Sequence, residues 1–327
     1  MIPFRSVFQE ELNEFLTIRE ASMSKSAFVH DRLYLDKFDN YLISNGCCTK
    51  DLSEDIVLGW MGSLTGKSSS IANEVIVIRI FLKRLAGVGI HAFIPPVPKV
   101  ADDYIPYIFS DIELEKIFAQ ADSIAIKYRP KYPKIHLEFP MALRLMYGCG
   151  LRVGETLSLQ MSEVDLTYGV LVLKRSKGYK QRLVPLHSSL IEILRGYCMA
   201  MGLLGEPQKY LFPSVFPDVP VTIKTALHRF ENILKITDIS LPGRSKHQRG
   251  PCLHCFRHVF VFQSFAQAER NGRDINDVVP YLSIYLGHDS LKETEKYLKF
   301  SSEMYPEALE QFEIFTKGIF PEVDYDE

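Results

Sequence analysis

The sequence predicts a mainly α-helical protein of two domains, the second of which combines helices with a small antiparallel β-sheet. Through residues 1–93, apolar side chains recur every three to four positions, which is the spacing of amphipathic helices. A proline-rich stretch at residues 93–98 then interrupts this pattern, and farther along the runs 164–173 and 182–186 have the composition of β-strands. The 327 residues, of which 46% are apolar and 24% charged, suffice for two hydrophobic cores.

The first domain, residues 1–97, is predicted to be entirely helical. Serines at Ser68–Ser70 can cap the last of its helices, and Trp60 is expected in the core. Three of the four residues from 95 to 98 are proline, which cannot continue a helix and favours an extended connection, so we place the domain boundary there. The helices are expected at Phe8–Met23, Ala27–Ile43, Ile56–Leu64 and Ile71–Ala86.

The second domain, residues 104–327, is predicted to be mostly helical around a three-stranded sheet. It opens with the capping-box sequence Ser110-Asp-Ile-Glu113, and a buried helix at Leu137–Gly148 ends at closely spaced glycines. Turn sequences at Tyr168-Gly169 and Ser176–Tyr179 divide the β-like runs into three antiparallel strands. Further helices are expected at Leu190–Met201, Thr222–Lys235, Cys255–Ala268, Ile275–Leu286, Leu291–Phe300 and Pro306–Phe315.

The sequence has no candidate for a membrane span. The longest apolar run, Val75–Leu82, is interrupted by Arg79 and is far shorter than the roughly 18 residues that a span needs. The first ten residues turn acidic before a signal-peptide core could form. We therefore expect a cytoplasmic, nucleoid-associated protein with no membrane partner, whose six cysteines are reduced thiols.

Positive charge is concentrated in three segments, although the formal net charge of the chain is −2. From Glu303 onward the net charge is −7, so residues 1–302 carry +5. Lysine and arginine cluster at residues 127–134, 174–182 and 244–249. Such clusters attract phosphates even on a nearly neutral protein, because salt limits the field of each cluster to about 8–10 Å. A nucleic acid is the expected partner, and solvated loops without a partner are the alternative for each cluster taken alone.

Short motifs in the second domain together supply what phosphodiester cleavage by transesterification requires. The reaction needs a nucleophilic oxygen, positive charge near the non-bridging oxygens and an acid for the departing 5′ oxygen. Tyr297, nine residues after His288, is the candidate nucleophile, because a phenol with a pKa of about 10 can be deprotonated and can later leave. Arg152 and Arg257 can present planar forks to the phosphate. No metal or other cofactor is expected, since the arginines supply the charge.

Three further side chains have expected roles beside these arginines. Glu155, one helical turn after Arg152, is placed to hold that guanidinium as an i, i+3 partner. His254, three residues before Arg257, lies on the same helix face and can share the phosphate and take the proton of the phenol. Lys177, at the tip of the predicted hairpin, is the candidate acid for the leaving oxygen.

These motifs resemble the tyrosine recombinase (phage integrase) family over nearly the whole chain. The resemblance implies a core-binding (SAM-like) DNA-binding domain at residues 1–97, a catalytic domain at residues 104–327, a 3′-phosphotyrosine intermediate, and a homotetramer on synapsed double-stranded DNA. The catalytic residues that it implies are Arg152, Lys177, His254, Arg257, His288 and Tyr297. The matching segments are Gly150-Leu-Arg152-Val-Gly-Glu155, Ser176-Lys177-Gly178-Tyr-Lys-Gln-Arg-Leu-Val-Pro-Leu186, His254-x-x-Arg257-His258, Leu286-Gly-His288 and Tyr297.

The spacing of two motifs indicates a branch of this family. Arg257 and His288 are 31 residues apart, because the segment Gln267–Ile284 between them is expanded. The run Phe262–Leu286 resembles the mobile-element integrases of the family. We therefore expect a site-specific DNA recombinase or integrase of a mobile element, without a separate domain for arm-type DNA sites. The alternatives are a type IB topoisomerase-like strand transferase with the same chemistry and a catalytically silent DNA-binding accessory protein, although the intact residue set argues against silence.

Several chemically suggestive residues have simpler interpretations. Cys252-x-x-Cys255 lacks a second pair of zinc ligands and is expected to pack in the core. His258 is interpreted as a structural hydrogen-bonding residue, and Tyr285, within an apolar helix, as a core residue rather than a rival nucleophile. The apolar face of Pro306–Phe315 is expected to be buried, either within its own subunit or against a neighbouring protomer.

Overall fold

The computed structural model describes residues 3–100, 106–124, 134–174, 181–216, 218–240 and 250–299. The chain divides into two compact units, residues 1–104 and 105–327. Helices predominate among the described residues, beside one small antiparallel sheet, so the predicted fold class is confirmed. None of the described helices is long and apolar enough to cross a membrane.

The first unit is a helical bundle around Trp60. The Trp60 ring is buried and lies edge-on to Phe38, with ring centroids 5.1 Å apart. The proposed serine cap of the last helix is wrong, because Lys67 is the residue that precedes its first turn and Ser68–Ser70 already belong to that turn. The helices confirm the predicted ones and are α1 (Gln9–Ser22), α2 (Lys25–Ser44), α3 (Glu54–Ser63) and α4 (Ser68–Gly87).

Helix α6 (Ile135–Cys149) forms the centre of the second unit. Seven of the eight residues from 139 to 146 are buried, which is typical of a helix that neighbours surround on every side. The prediction of a buried helix at Leu137–Gly148 is therefore confirmed. The predicted capping box of Ser110 and Glu113 is present at the start of α5 (Asp111–Asp122). Helix α6 contacts α5, α7 (Val153–Leu157), α8 (Ser188–Met201) and α10 (Cys255–Arg270).

Gly150 ends α6 and turns the chain toward α7. Its φ is +60°, and a Cβ at this position would lie 2.6 Å from Cδ1 of Phe260. Only glycine meets both conditions without strain or displacement of Phe260. Leu151 is then buried, and Arg152 occupies the position that precedes the first turn of α7.

The sheet has the predicted three antiparallel strands, in the order β1 (Val164–Asp165), β2 (Val170–Leu173) and β3 (Arg182–Pro185). Gly169, with φ of +65°, lies in the turn between β1 and β2. Leu171 pairs with Val184, and both side chains are completely buried on the face toward the core. The predicted hairpin tip with Lys177 lies outside the described residues.

The remaining described helices carry the later motifs. They are α9 (Ile223–Ile236), α11 (Ile275–Leu286) and α12 (Leu291–Glu295), the last continuing as a 3₁₀ turn at Lys296–Lys299. The prediction of one α-helix over Leu291–Phe300 is therefore wrong at its end, where the tighter 3₁₀ geometry takes over. The predicted helix Pro306–Phe315 lies outside the described residues.

Candidate active site

Arg152 and Glu155 form the ion pair that their spacing predicts. The Arg152 Nη1 atom donates to Oε1 of Glu155 at 3.0 Å, and the Arg152 main-chain N–H donates to Oε2 at 3.0 Å. Glu155 thus orients the guanidinium and also satisfies an otherwise unpaired N–H at the start of α7. The Arg152 side chain remains about a quarter exposed, at 24%, whereas that of Glu155 is 5% exposed.

Arg182 of β3 also binds Glu155, through both outer nitrogens. Its Nη1 and Nη2 atoms lie 3.0 and 2.8 Å from Oε1 and Oε2 of the carboxylate. The Arg182 side chain is only 7% exposed. The sequence places this arginine in a basic cluster but gives no signal that it is buried beside Arg152, because its partner lies on a different element.

The two arginines determine the charge state of Glu155. Burial by itself would raise the pKa of this carboxyl, but the hydrogen bonds from Arg182 and from the Arg152 main chain, with their positive charges, lower it to about 2. Glu155 is therefore ionised near neutral pH. Its two oxygens are held by arginines and are poorly suited to accept a proton from a substrate.

Arg257 is fully buried and joins the ends of two helices. Its Nη1 and Nη2 atoms donate to the main-chain carbonyls of Gly150 and Leu286, each at 2.8 Å. Burial, together with the charge of Arg152, lowers the pKa of the Arg257 guanidinium to about 10. The sequence predicts a phosphate ligand here, and the structure adds a role in tying the end of α6 to the end of α11.

His288 follows directly after α11, at the turn made by Gly287. The φ of Gly287 is +64°, and a Cβ there would lie 2.9 Å from Nη1 of Arg182. The His288 Nδ1 atom lies 2.6 Å from the hydroxyl of Thr294. Burial and the charges of the neighbouring arginines, Arg257 foremost, lower the pKa of His288 to about 3, so the ring is neutral near pH 7.

Tyr297 is buried, and its hydroxyl oxygen lies 2.9 Å from Nδ1 of His258. The phenol ring is 6% exposed and lies edge-on to Phe262, with centroids 5.8 Å apart. The rings of His254 and His258 are themselves in edge-to-face contact, with centroids 4.7 Å apart. The sequence favours a structural hydrogen-bonding role for His258 over a catalytic one. The ring does make a hydrogen-bond contact, but with the candidate nucleophile, which the sequence does not indicate.

The structure describes the two cysteines and Tyr285 singled out in the sequence, but not Lys177. The Sγ atoms of Cys252 and Cys255 lie 3.6 Å apart, and the described residues contain no group of three or more possible metal ligands. Tyr285 stacks on Phe260 with ring centroids 5.3 Å apart, in agreement with a packing role. Lys177 and most of the basic residues of the three clusters lie outside the described residues.

Taken together, the described part of the site has three guanidinium groups around a single carboxylate. Arg152, Arg182 and Arg257 lie close enough for their charges to depress the pKa of His288. This excess of positive charge favours an anion such as a phosphodiester. The buried phenol of Tyr297, which contacts His258, provides an oxygen that can be deprotonated.

Comparison with known proteins finds integrases and recombinases, both by sequence and by fold. The sequence profile of the phage integrase family matches residues 112–304. The y4rB protein of Sinorhizobium fredii is 28% identical over 94% of this chain and 98% of its own length. Tyrosine recombinase XerD of Rhizobium meliloti is 25% identical over 91% of this chain and 92% of its own length. The structure of the XerH site-specific recombinase bound to difH substrate has a similar fold, with a TM-score of 0.65 and 19% identity over 92% of this chain and 84% of that chain.

Proposed function

Since this chain belongs to the phage integrase family, whose profile matches residues 112–304, we propose that it cuts and rejoins DNA through a 3′-phosphotyrosine bond to Tyr297. The chain is a tyrosine-type site-specific recombinase, like its relative XerD. The proposal assigns DNA binding to residues 1–97 and the chemistry to residues 104–327. The observation that carries the proposal is the hydrogen bond of the buried Tyr297 hydroxyl to His258, beside the arginine cluster.

Each of these side chains has a distinct part in the proposed reaction. Arg152 and Arg257 neutralise the non-bridging oxygens as the pentavalent state forms. Glu155 and Arg182 keep Arg152 in position. His254 contributes a further hydrogen bond to the phosphate.

His288 and Lys177 complete the proposed site. A neutral His288 whose Nδ1 accepts the Thr294 hydroxyl proton carries its hydrogen on Nε2 and can donate it to a phosphate oxygen. Lys177 protonates the departing 5′ oxygen. Because the phosphotyrosine bond conserves the energy of the cleaved bond, a 5′ hydroxyl of a second duplex can displace Tyr297 and complete the exchange.

The test begins with the selection of a DNA site. Duplexes of randomised sequence are incubated with the protein, and DNA that remains attached to the protein in detergent is recovered and sequenced. The wild-type protein should enrich inverted half-sites around a short spacer. Tyr297→Phe should bind the selected duplex but form no covalent complex, whereas the matched control Tyr285→Phe should form it normally.

The same selection separates the alternatives. Covalent capture that survives Tyr297→Phe would assign the nucleophile to another residue. Sequence-specific binding without any capture by the wild-type protein would indicate an accessory DNA-binding protein. Relaxation of supercoiled plasmid that lacks the selected site, without strand exchange at the site, would indicate a topoisomerase-like activity.

Two finer parts of the proposal have their own measurements. A homotetramer that joins two duplexes should appear in mass photometry as four protomers per synapsed pair, and a dimer as the largest species would contradict it. A mobile element should carry the selected site at both of its ends. Polymerase chain reaction across those ends should then detect the excised circle.

A further inference from the structure

His258 is in a position to take the proton of the nucleophile. It is 4% exposed, follows Arg257 on α10, and contacts the Tyr297 hydroxyl through Nδ1 at 2.9 Å. The centroids of the two rings are 5.4 Å apart, and the ring planes are tilted by 53° to each other. His258 belongs neither to the six residues that the family resemblance implies nor to the groups that hold the arginines.

The apolar surroundings of Tyr297 favour this contact. Its ring belongs to an apolar cluster of α10 and α11 that includes Phe262, Phe265 and Leu286. A phenol hydroxyl buried among such side chains is costly without a hydrogen-bond partner. In the tautomer that carries its hydrogen on Nε2, Nδ1 of His258 accepts the hydrogen of the phenol.

Four other described side chains at the arginine cluster are poorer acceptors. The guanidinium groups of Arg152 and Arg257 have no lone pair to offer. Both oxygens of Glu155 are engaged by arginines, and its pKa is about 2. The Nδ1 atom of His288 faces the hydroxyl of Thr294.

We propose that His258 is the general base that deprotonates Tyr297, an inference that rests on the recombinase function proposed above. The Oη–H bond breaks and its proton passes to Nδ1 of His258. The oxygen's electron pair forms the bond to phosphorus, while the bond from phosphorus to the 5′ oxygen breaks and that oxygen takes a proton from the acid, for which Lys177 is the candidate. In the rejoining step, His258 returns the proton to the phenolate as Tyr297 leaves.

The test compares two substitutions and a chemically altered nucleophile. His258→Asn retains an acceptor close to the position of Nδ1 but cannot take up a proton, whereas His258→Ala removes both properties. Single-turnover covalent attachment to a nicked form of the selected duplex should fall by about 10²–10⁴-fold in His258→Asn, with DNA affinity unchanged. Site-specific incorporation of 3,5-difluorotyrosine at position 297 should restore much of that rate, because the more acidic phenol ionises without a base.

His254→Asn is the matched control, since His254 is the base that the sequence predicts. Its defect should not be relieved by the fluorinated tyrosine. Relief in His254→Asn and none in His258→Asn would assign the base to His254 and overturn the inference. A normal rate in His258→Asn together with a slow rate in His258→Ala would restrict His258 to positioning and would also overturn it.

Two further results keep the inference distinguishable from the proposed function. No covalent complex with the wild-type protein would refute the function, whereas a normal complex in His258→Asn would refute the inference alone. If the buried substitutions unfold the protein, a series of fluorotyrosines in the otherwise unaltered protein decides the matter. A rate that depends only weakly on phenol acidity is expected, and one proportional to the phenolate fraction would mean that no base takes part.

Discussion

Replacing Arg182 by alanine should destabilise the second unit by about 3–5 kcal/mol, the usual cost of removing one partner from a buried ion pair. Both side chains of the pair are almost completely buried, at 7% for Arg182 and 5% for Glu155, so water cannot replace the lost guanidinium. Arg152 would remain as a partner of Glu155, but through Oε1 and its main-chain N–H alone. The Oε2 atom would lose its contact with a guanidinium.

The pKa of Glu155 gives an independent magnitude. A decrease from 4.5 to about 2 corresponds to about 3 kcal/mol of stability. Because the pKa is lower in the folded state, this stability is complete above about pH 4.5 and is lost as the pH falls toward 2. Arg182→Ala should therefore unfold at higher pH than the wild-type protein during acid titration.

The assay is the free energy of unfolding of the second unit, from urea denaturation at pH 7 and along an acid titration. Lys209→Ala is the matched control, because Lys209 and Glu206 form an ion pair 3.4 Å long whose side chains are 40% and 51% exposed. An exposed pair of this kind contributes about 0–1 kcal/mol. If Arg182→Ala costs no more than Lys209→Ala, the reasoning about the buried carboxylate is refuted.

Three other substitutions or titrations test neighbouring parts of the site. Gly150→Ala should lower the free energy of unfolding in urea by about 1–3 kcal/mol more than the control Gly272→Ala. Both glycines have positive φ, but only a Cβ at position 150 would meet Phe260. Equal losses would contradict the crowding at Gly150. His288 should remain neutral at pH 5 in an NMR titration, since its pKa is about 3, and stability that depends on it should fall as the pH drops from about 6.5 toward 3; an imidazolium signal at pH 5 would contradict this. Lys177→Ala should cleave a 5′-bridging phosphorothiolate almost normally, because sulfur leaves without a proton, and equal defects on both substrates would leave Lys177 with a binding role alone.

Much of the fold could be predicted because its local signals agree with its packing. The helices of the first unit follow from apolar spacing, and the turn at Gly169 follows from a residue that tolerates positive φ. The errors are at element ends, where Ser68 lies inside α4 and where α12 passes into a 3₁₀ turn. These ends depend on the geometry of one or two residues, which a periodic pattern does not specify.

The candidate site could be predicted where both partners lie on one element. Arg152 and Glu155 are three residues apart, so helix geometry alone brings them together. The contact of Arg182 with Glu155 joins residues 27 apart, and that of His258 with Tyr297 joins residues 39 apart. Neither contact follows from a spacing rule, because each depends on how separate elements pack.

Each of these long-range contacts involves a residue to which the sequence assigns no part in the reaction. These residues are Arg182, which contacts Glu155, and His258, which contacts Tyr297. His258 adjoins Arg257, so the helix turn that directs one side chain to the carbonyls of Gly150 and Leu286 also fixes the direction of the other toward Tyr297. A change that shifts the start of α10 should therefore disturb Arg257 and the contact of His258 with Tyr297 together. The hydrogen bonds of the buried Arg257 hold the start of α10, and His258 projects from the same turn.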